Sequence, residues 1–555
     1  MKKFQSSHVF FSHLYILPIF LAIFVSCRCP EHQKSALLNI FSNRSALPSW
    51  RDDASSSDDC CQWEGITCDD VSAHVIGLDV TNRSISASLN SSALSSLRNL
   101  RFLNLSSNDF RASIIPSNLD SLSNLTHLNL SHSNFTGQIP AAIARMSRLV
   151  VLDLSSDYPY SLKLDRPSAE ALLWNLSRLT KLHLDGVNIS SPVPQFLSNF
   201  TRLTSLILSF CNLLSGSFPD FPRENVLRIL ELSRTGFSGQ IPPSLLNRTR
   251  LAVLNLYYNN FSGRILPLDS SKSIRVLDLG YNSLYGTIPF YLFTLPSLKV
   301  LYLDSNQLEG ELPEFSNASS TPEVIYLRDN KLHGRIPISI FGFRRLQSLS
   351  LSYNRLNGSV DFAMLPRLHS LVRLDLSQNS LVVNANYVDT SPFPRLQYLD
   401  LSDNEIAGEI PSWLWTVGGG NLRGLNLSGN SLTNLQQPYN LSSNSFLLGL
   451  DLHSNQLQGE LPLPPSSIVV LDCSKNNFTT IIPSELASRL VSALFFSISG
   501  NNISGEIPPS ICNASYLEVL DLSDNSLTRQ NRGCAGKTRK GKKGNAQRGD
   551  WIQGV

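Results

Sequence analysis

The sequence predicts an α/β fold. It is a right-handed solenoid with a parallel β-sheet on the concave face, 3-10 and turn segments on the convex face, and a disulfide-stapled cap at its N-terminal end. Three observations carry this. The pattern L-x-x-L-x-L-x-x-N-x-L recurs from about Ile76 onward, as in Leu100–Phe110, Leu298–Leu308 and Leu396–Ile406. A unit mark placed three residues after the last strand leucine appears nineteen times between positions 83 and 525, a mean step of about 24.6 residues. Four cysteines, Cys29, Cys60, Cys61 and Cys68, crowd together just before the first unit.

Residues 1–27 read as a signal peptide. MKKF is a short positive segment, Leu14 to Val25 is an apolar run of secretory length, and small residues lead to cleavage before Arg28. A membrane helix needs roughly 18 or more apolar residues, and no later segment supplies them, so the chain carries no membrane span of its own and is expected to be secreted.

Residues 28–75 form the expected cap. Lys34 to Phe41 predicts a helix, and Trp50 and Trp63 supply bulk to cover the end of a stack. In an oxidising compartment the four cysteines read as staples rather than metal ligands, since paired C-x-x-C knuckles and adjacent histidines are both lacking. Four cysteines permit three pairings.

Residues 76–527 hold the nineteen units. In the L-x-L strand the alternation of side chains sends both leucines into the coil and leaves the residue between them on the concave face. Asn holds the marked slot in thirteen units; Arg83, Ser133, Asp157, Val187, Cys211 and Thr235 hold the others. A buried Asn there can bond backbone groups that the turning chain leaves unpaired, so a ladder of amides is expected, with irregularity at Arg83 and Val187. Later in the unit Gly-x-[Ile/Leu/Phe]-Pro recurs, beginning at Gly137, Gly216, Gly239, Gly286, Gly310, Gly334, Gly408, Gly459 and Gly505. Glycine permits the turn and proline ends the pairing.

These units are leucine-rich repeats, and with L-x-G-x-I-P they resemble the plant extracellular type. Cys60–Cys68 resembles that family's cap motif, a resemblance that implies pairing of Cys29 with Cys60 and of Cys61 with Cys68. Leu164–Ser191, Leu208–Gly216 and Ile507–Leu527 are similar to plant leucine-rich repeat receptor-like proteins, notably the branch of pathogen perception and wilt resistance. The resemblance covers nearly all of residues 29–527. It implies a kinase-less receptor at the cell membrane, facing outside, that signals through leucine-rich repeat receptor kinases as co-receptors in plant defence.

Residues 528–555 depart from it. Arg529 to Val555 carries eight Lys/Arg against Asp550 alone, which reads as a basic, disordered tail rather than a nucleic-acid site. No acidic linker, terminal cap or membrane helix follows Leu527. The expectation is therefore a C-terminally truncated receptor, secreted to the apoplast for want of an anchor. Its last turns should fray unless Cys512 and Cys534 close an improvised cap.

An extracellular peptide, protein or glycan is the expected ligand, on a concave wall roughly 85 Å long at ~4.8 Å per strand. Asp278, Tyr302, Tyr326, Asp375 and Asp400 lie between strand leucines, and Tyr258, Tyr281 and Tyr353 just before the slot Asn. Tyrosine offers rigid contact area with one polar tip, which makes this strip the candidate ligand-binding face, although Asp and Tyr are also ordinary residues at such positions. Candidate glycosylation sites are Asn43, Asn82, Asn90, Asn124, Asn175, Asn199, Asn247, Asn317, Asn440 and Asn513. Glycans at the further sequons Asn104, Asn129 and Asn426 would obstruct the concave face.

No nucleophile elbow, H-E-x-x-H, P-loop or kinase signature occurs, and His127, His183 and His453 gather nothing catalytic, so no enzyme, cofactor or metal is expected. Two other readings share the scaffold. One is a secreted inhibitor of microbial cell-wall hydrolases, like the polygalacturonase-inhibiting proteins, whose chains hold about ten units; the other is a developmental peptide receptor. Nineteen units favour a receptor over the inhibitor, and the scaffold is common to defence and developmental receptors.

Overall fold

The computed structural model describes residues 28–528 apart from 44, 51–58, 158–160, 191–199, 212, 221–225, 247–249, 267–272, 317–321, 362–367, 385–392, 438–440 and 442–444. The signal segment, Cys27, Cys534, the basic tail from 529, and Asn199, Asn247, Asn317 and Asn440 lie outside the described residues.

The coils build a 20-stranded concave sheet. Its first strand, Ile66–Cys68, belongs to the cap and runs antiparallel to Val75–Asp79. From there every neighbour is parallel and in register, as where Leu254, Leu277, Leu301 and Ile325 stand side by side. Each strand is three to five residues long because a coil pairs only until it must turn. The inward leucines are buried to within a few per cent of complete, and they stack into one continuous core along the solenoid.

The slot amides do the predicted work. Asn354 donates to the carbonyls of Leu327 (3.0 Å), Leu351 (3.1 Å) and Ser352 (3.1 Å), and its oxygen accepts from the Leu332 N–H (3.1 Å). Leu327 and Leu332 belong to the preceding coil, so one side chain ties two coils together. The same four bonds recur at Asn282, Asn306, Asn330, Asn379 and Asn404.

Irregularity at the two poor substitutes is local. Arg83 turns outward to Glu64 (2.7 Å), while Asn108 of the next coil accepts from the Arg83 and Ile85 N–H groups. At Val187 the strand Lys181–His183 still pairs on both sides, but Asp185 Oδ1 and Asn188 Oδ1 nearby are buried without a hydrogen-bond partner. Cys211 substitutes better, its thiol donating to the Leu184 carbonyl at 3.3 Å.

The convex side differs from expectation by carrying a second parallel sheet of eight strands, from Ser215–Ser217 to Ser380–Asn384, besides the 3-10 segments such as Phe290–Thr294 and Ile338–Gly342. Residues around the x-G of each unit are extended, so adjacent coils hydrogen-bond there too. Gly310 lies within one such pairing, opposite Leu332, at φ +88°, where a Cβ would stand 2.8 Å from Thr287 Cγ2 of the previous coil.

The cap helix spans Glu31–Asn39, and Trp50 and Trp63 stack at 5.7 Å over the first coil, each at most 2% exposed. Cys29 is bonded to Cys60 and Cys61 to Cys68, the pairing implied by the resemblance. At the other end the expected fraying does not occur within the described residues. Val519–Asp521 pairs fully with Phe495–Ser497, and Ser526–Thr528 with Ser504–Glu506, because coil-to-coil backbone bonds form without an outer cover. Its outer side stays open, with Val519 and Leu520 exposed, and Cys512 is disulfide-bonded.

Replacing Asn354 by Ala is expected to leave the Leu327, Leu351, Ser352 and Leu332 backbone groups short of partners. That should cost on the order of 2–4 kcal/mol. Urea unfolding combined with limited proteolysis would locate the first cut near this coil, and unchanged protease resistance would refute the ladder's role.

Candidate ligand-binding face

The outward residues of each coil form three rows. One lies between the strand leucines, one two residues before the slot, and one immediately before it. The last row is held in the left-handed conformation in coil after coil, with Tyr258, Tyr281 and Tyr353 at φ 55°, 53° and 54°. That backbone reverses the chain so that the slot Asn can turn inward, and it throws the preceding side chain out along the sheet's edge. These three tyrosines are accordingly 43–51% exposed and border the sheet instead of lying upon it.

Tyr302 and Tyr326 stand on adjacent strands with ring centroids 5.2 Å apart, and the Tyr326 hydroxyl lies 3.0 Å from Ser348 Oγ. Tyr258 and Tyr281 neighbour each other at 6.0 Å, and Tyr257, not singled out from the sequence, closes on Tyr281 at 5.2 Å. Arginines cover parts of this wall. Arg234 lies 5.0 Å from the Tyr258 ring centre and 5.6 Å from that of Phe210, and Arg328 lies 4.7 Å from that of Tyr353. The structure therefore gathers Tyr258, Tyr281, Tyr302, Tyr326 and Asp278 into one patch, with Tyr353 at its border. Arg234, Tyr257, Asp304 and Arg328 join it from the row two residues beyond the strand position or from the edge, rows whose alternation the leucine pattern already implies.

Asp375 and Asp400 stand apart. The Asp375 carboxylate accepts from the Ser377 N–H and from the hydroxyls of Ser377, Ser350 and Ser352. Asp400 accepts from the Ser402 N–H and hydroxyl and from the Asn426 amide. Both are largely occupied in holding their own turns. Asp278 accepts only the Gly280 N–H (3.0 Å), and no Lys or Arg lies within ion-pair reach of it among the described residues. Burial pushes its carboxyl up to about 7, with repulsion from Asp304 adding to the effect and the Gly280 bond opposing it. Burial raises Asp304 as well, against the partial compensation of Arg328.

The histidines are not idle surface groups. His183 meets Asp153 (3.2 Å) and Ser205 (2.8 Å), and His453 meets Asp451 (2.7 Å). Both contacts are half-buried on the concave side, and the first aligns the Asp153 carboxylate, the His183 ring and the Ser205 hydroxyl across neighbouring coils. Of the sequons, Asn43, Asn82, Asn90, Asn175 and Asn513 are exposed, and Asn124 is half-buried with its amide bonded to Arg98 and Arg148. Asn104, Asn129 and Asn426 accept from the N–H two residues on, which ties their side chains to the concave turns.

A carboxyl raised on folding binds its proton more tightly in the native state, so Asp278 subtracts stability as pH rises from about 4 to about 7. Asp278→Asn keeps an acceptor for Gly280 and is expected to raise stability above about pH 8 by on the order of 2 kcal/mol, a gain that vanishes below about pH 4. Thermal melts of both chains across that range check it, and a pH-independent difference would contradict the buried-charge account.

Residues 30–69 match the Leucine rich repeat N-terminal domain, and 99–122, 124–146, 297–317, 395–417, 467–488 and 494–514 match the Leucine Rich Repeat. Receptor-like protein 6 of Arabidopsis thaliana is 33% identical over 84% of this chain and 57% of its own length, and Receptor-like protein 7 of the same plant is 33% identical over 93% and 61%. The chain thus spans about three fifths of the relatives it matches. The solved structure of the Arabidopsis receptor kinase HAESA, in complex with the peptide hormone IDA and the co-receptor SERK1, superposes with a TM-score of 0.75 at 27% identity, covering 90% of this chain and 86% of that one. No helix among the described residues is long and apolar enough to cross a membrane. With its stapled cap and its parallel concave sheet, the chain is a leucine-rich repeat solenoid similar along nearly its whole length to plant receptor-like proteins.

Proposed function

We propose that this chain is the extracellular ligand-recognition region of a kinase-less immune receptor, which binds a peptide along its concave sheet and signals through partner leucine-rich repeat receptor kinases. The observation that carries the reading is the aromatic and acidic patch from Tyr257 to Tyr326, which spans four adjacent strands with rings 5.2–6.0 Å apart. Rigid rings with one polar tip supply contact area at small entropic cost, and a row of them suits an extended chain lying across the strands. The likeness to HAESA, whose complex contains a peptide hormone and a co-receptor, supports both the ligand class and the mode of signalling.

The seat at the cell surface, the secretory signal and the glycans belong to the same proposal. The exposed sequons Asn43, Asn82, Asn90, Asn175 and Asn513 all lie away from the tyrosine patch, so occupancy there leaves it open.

Secreted chain from residue 28 onward, challenged with apoplastic peptide fractions from infected leaves, is expected to retain a ligand. Tyr302→Ala and Tyr326→Ala should each weaken retention at least about tenfold. Undiminished retention by both variants would remove the patch from the site. Plants lacking the gene are expected to lose the oxidative burst to at least one microbial extract; an intact immune response with altered growth would assign the receptor to development.

A further inference from the structure

The tyrosine border lies where the strands of the concave sheet end, and the opposite border, where they begin, is basic. Of the three residues leading into each strand, one is a cation on seven successive strands: Arg148, Arg178, Arg202, Arg228, Arg250, Arg275 and Lys299. No Asp or Glu shares these positions. The run is closed at both ends, since Arg148 donates to the Asn124 side chain (2.6 Å) and Lys299 meets Glu323 (2.8 Å). The five arginines between them are exposed, and among the described residues none of their guanidinium groups has an ion pair or a hydrogen-bond partner. Each adjoins a buried Leu179, Leu203, Leu227, Leu251 or Ile274, which pins its backbone to the core. Overall basicity does not explain the file, because the chain ahead of its tail is net negative.

We propose that this border binds a linear polysaccharide bearing carboxylates, laid across the strands. Successive strands are ~4.8 Å apart, so the five arginines span roughly 19 Å in single file. Sugar rings follow one another at close to the strand spacing, which lets a polyuronate offer one carboxylate to each coil. Acidic side chains on one face of an extended peptide recur only every ~6.8 Å and fall out of step with the coils. The guanidinium fork holds a carboxylate through two parallel N–H donors, which suits arginine over lysine at five successive coils. Thr180 and Thr204 fit the same ligand. Their hydroxyls donate to the Val150 and Thr180 carbonyls of the preceding coils (3.1 and 2.9 Å), which leaves lone pairs on each oxygen to accept from a sugar hydroxyl between two arginines. This surface is separate from the tyrosine patch, since Arg275 precedes and Tyr281 follows the strand Val276–Asp278.

Biosensor binding of the secreted chain to a linear polymer of galacturonic acid tests this. The cations of the tail are removed beforehand by changing Lys537, Arg539, Lys540, Lys542 and Lys543 to Gln. That chain is expected to bind the polymer at about 0.15 M salt and to release it as salt rises. A triple variant, Arg202→Gln, Arg228→Gln and Arg250→Gln, should bind at least about tenfold more weakly. A second triple, Arg264→Gln, Arg335→Gln and Arg355→Gln, removes the same charge from exposed sites at the convex sheet and should bind as before. Methyl esterification of the polymer should abolish binding. Equal losses in the two triples, no loss in the first, or binding that vanishes with the tail cations would overturn the proposal. Equal affinity for dextran sulfate or for phosphatidylserine vesicles would make the border a general anion surface and overturn the polysaccharide.

Discussion

Asparagine amides that bond two coils at once hold the concave wall together. A leucine core is slippery in register, since one buried leucine packs against another with little regard for which. The amide is directional. By taking three carbonyls and one N–H at fixed positions, Asn282, Asn306, Asn330 and Asn354 set how far each coil is offset from the last. The parallel register follows, and with it the rows of side chains along the concave sheet.

The ladder also explains why those rows differ in freedom. Turning the amide inward forces the residue before it into the left-handed region, and that residue is then pushed out to the edge of the sheet. It contacts no core, so Tyr258, Arg234, Asp329 or Lys475 can stand there without disturbing the stack. The row between the strand leucines is more constrained. A carboxylate or amide there accepts the N–H two residues on, as Asp375, Asp400, Asn129 and Asn426 do, and the wall's acidity is in part a device for closing turns. Asp278 performs the same closing bond but is followed by glycine, not by a serine hydroxyl, which leaves its carboxylate with capacity to spare.

Electrostatic strain of this kind is tolerable in a solenoid because each coil is stabilised by its neighbours, not by its own surface. Asp185, Asp278 and Asp400 all have carboxyls raised to between about 6 and 7, in each case chiefly by burial and then by a neighbouring acid. A compact domain would suffer where such groups entered a single core. Here they are spread along the concave rows, one to a coil, and Asp400 is further held by Ser402 and Asn426.

Sequence alone determined the coil. The spacing of Leu277, Leu279 and Asn282, repeated nineteen times, fixes which side chains point inward, since a strand has period two and the amide has one productive place to bond. The cap was legible for a similar reason: a stack of leucine coils needs a covered end, and Trp50, Trp63 and four cysteines were gathered where one was required. Only the tertiary structure decided which outward residues meet. Tyr257 lies 24 residues from Tyr281 in the chain yet 5.2 Å away across the sheet, and Asp304 of the next coil helps to raise the Asp278 carboxyl. The second sheet on the convex side and the ordered last coil were hidden for the same physical reason. Contacts between coils depend on how the turns stack, and the pattern within one turn does not specify that.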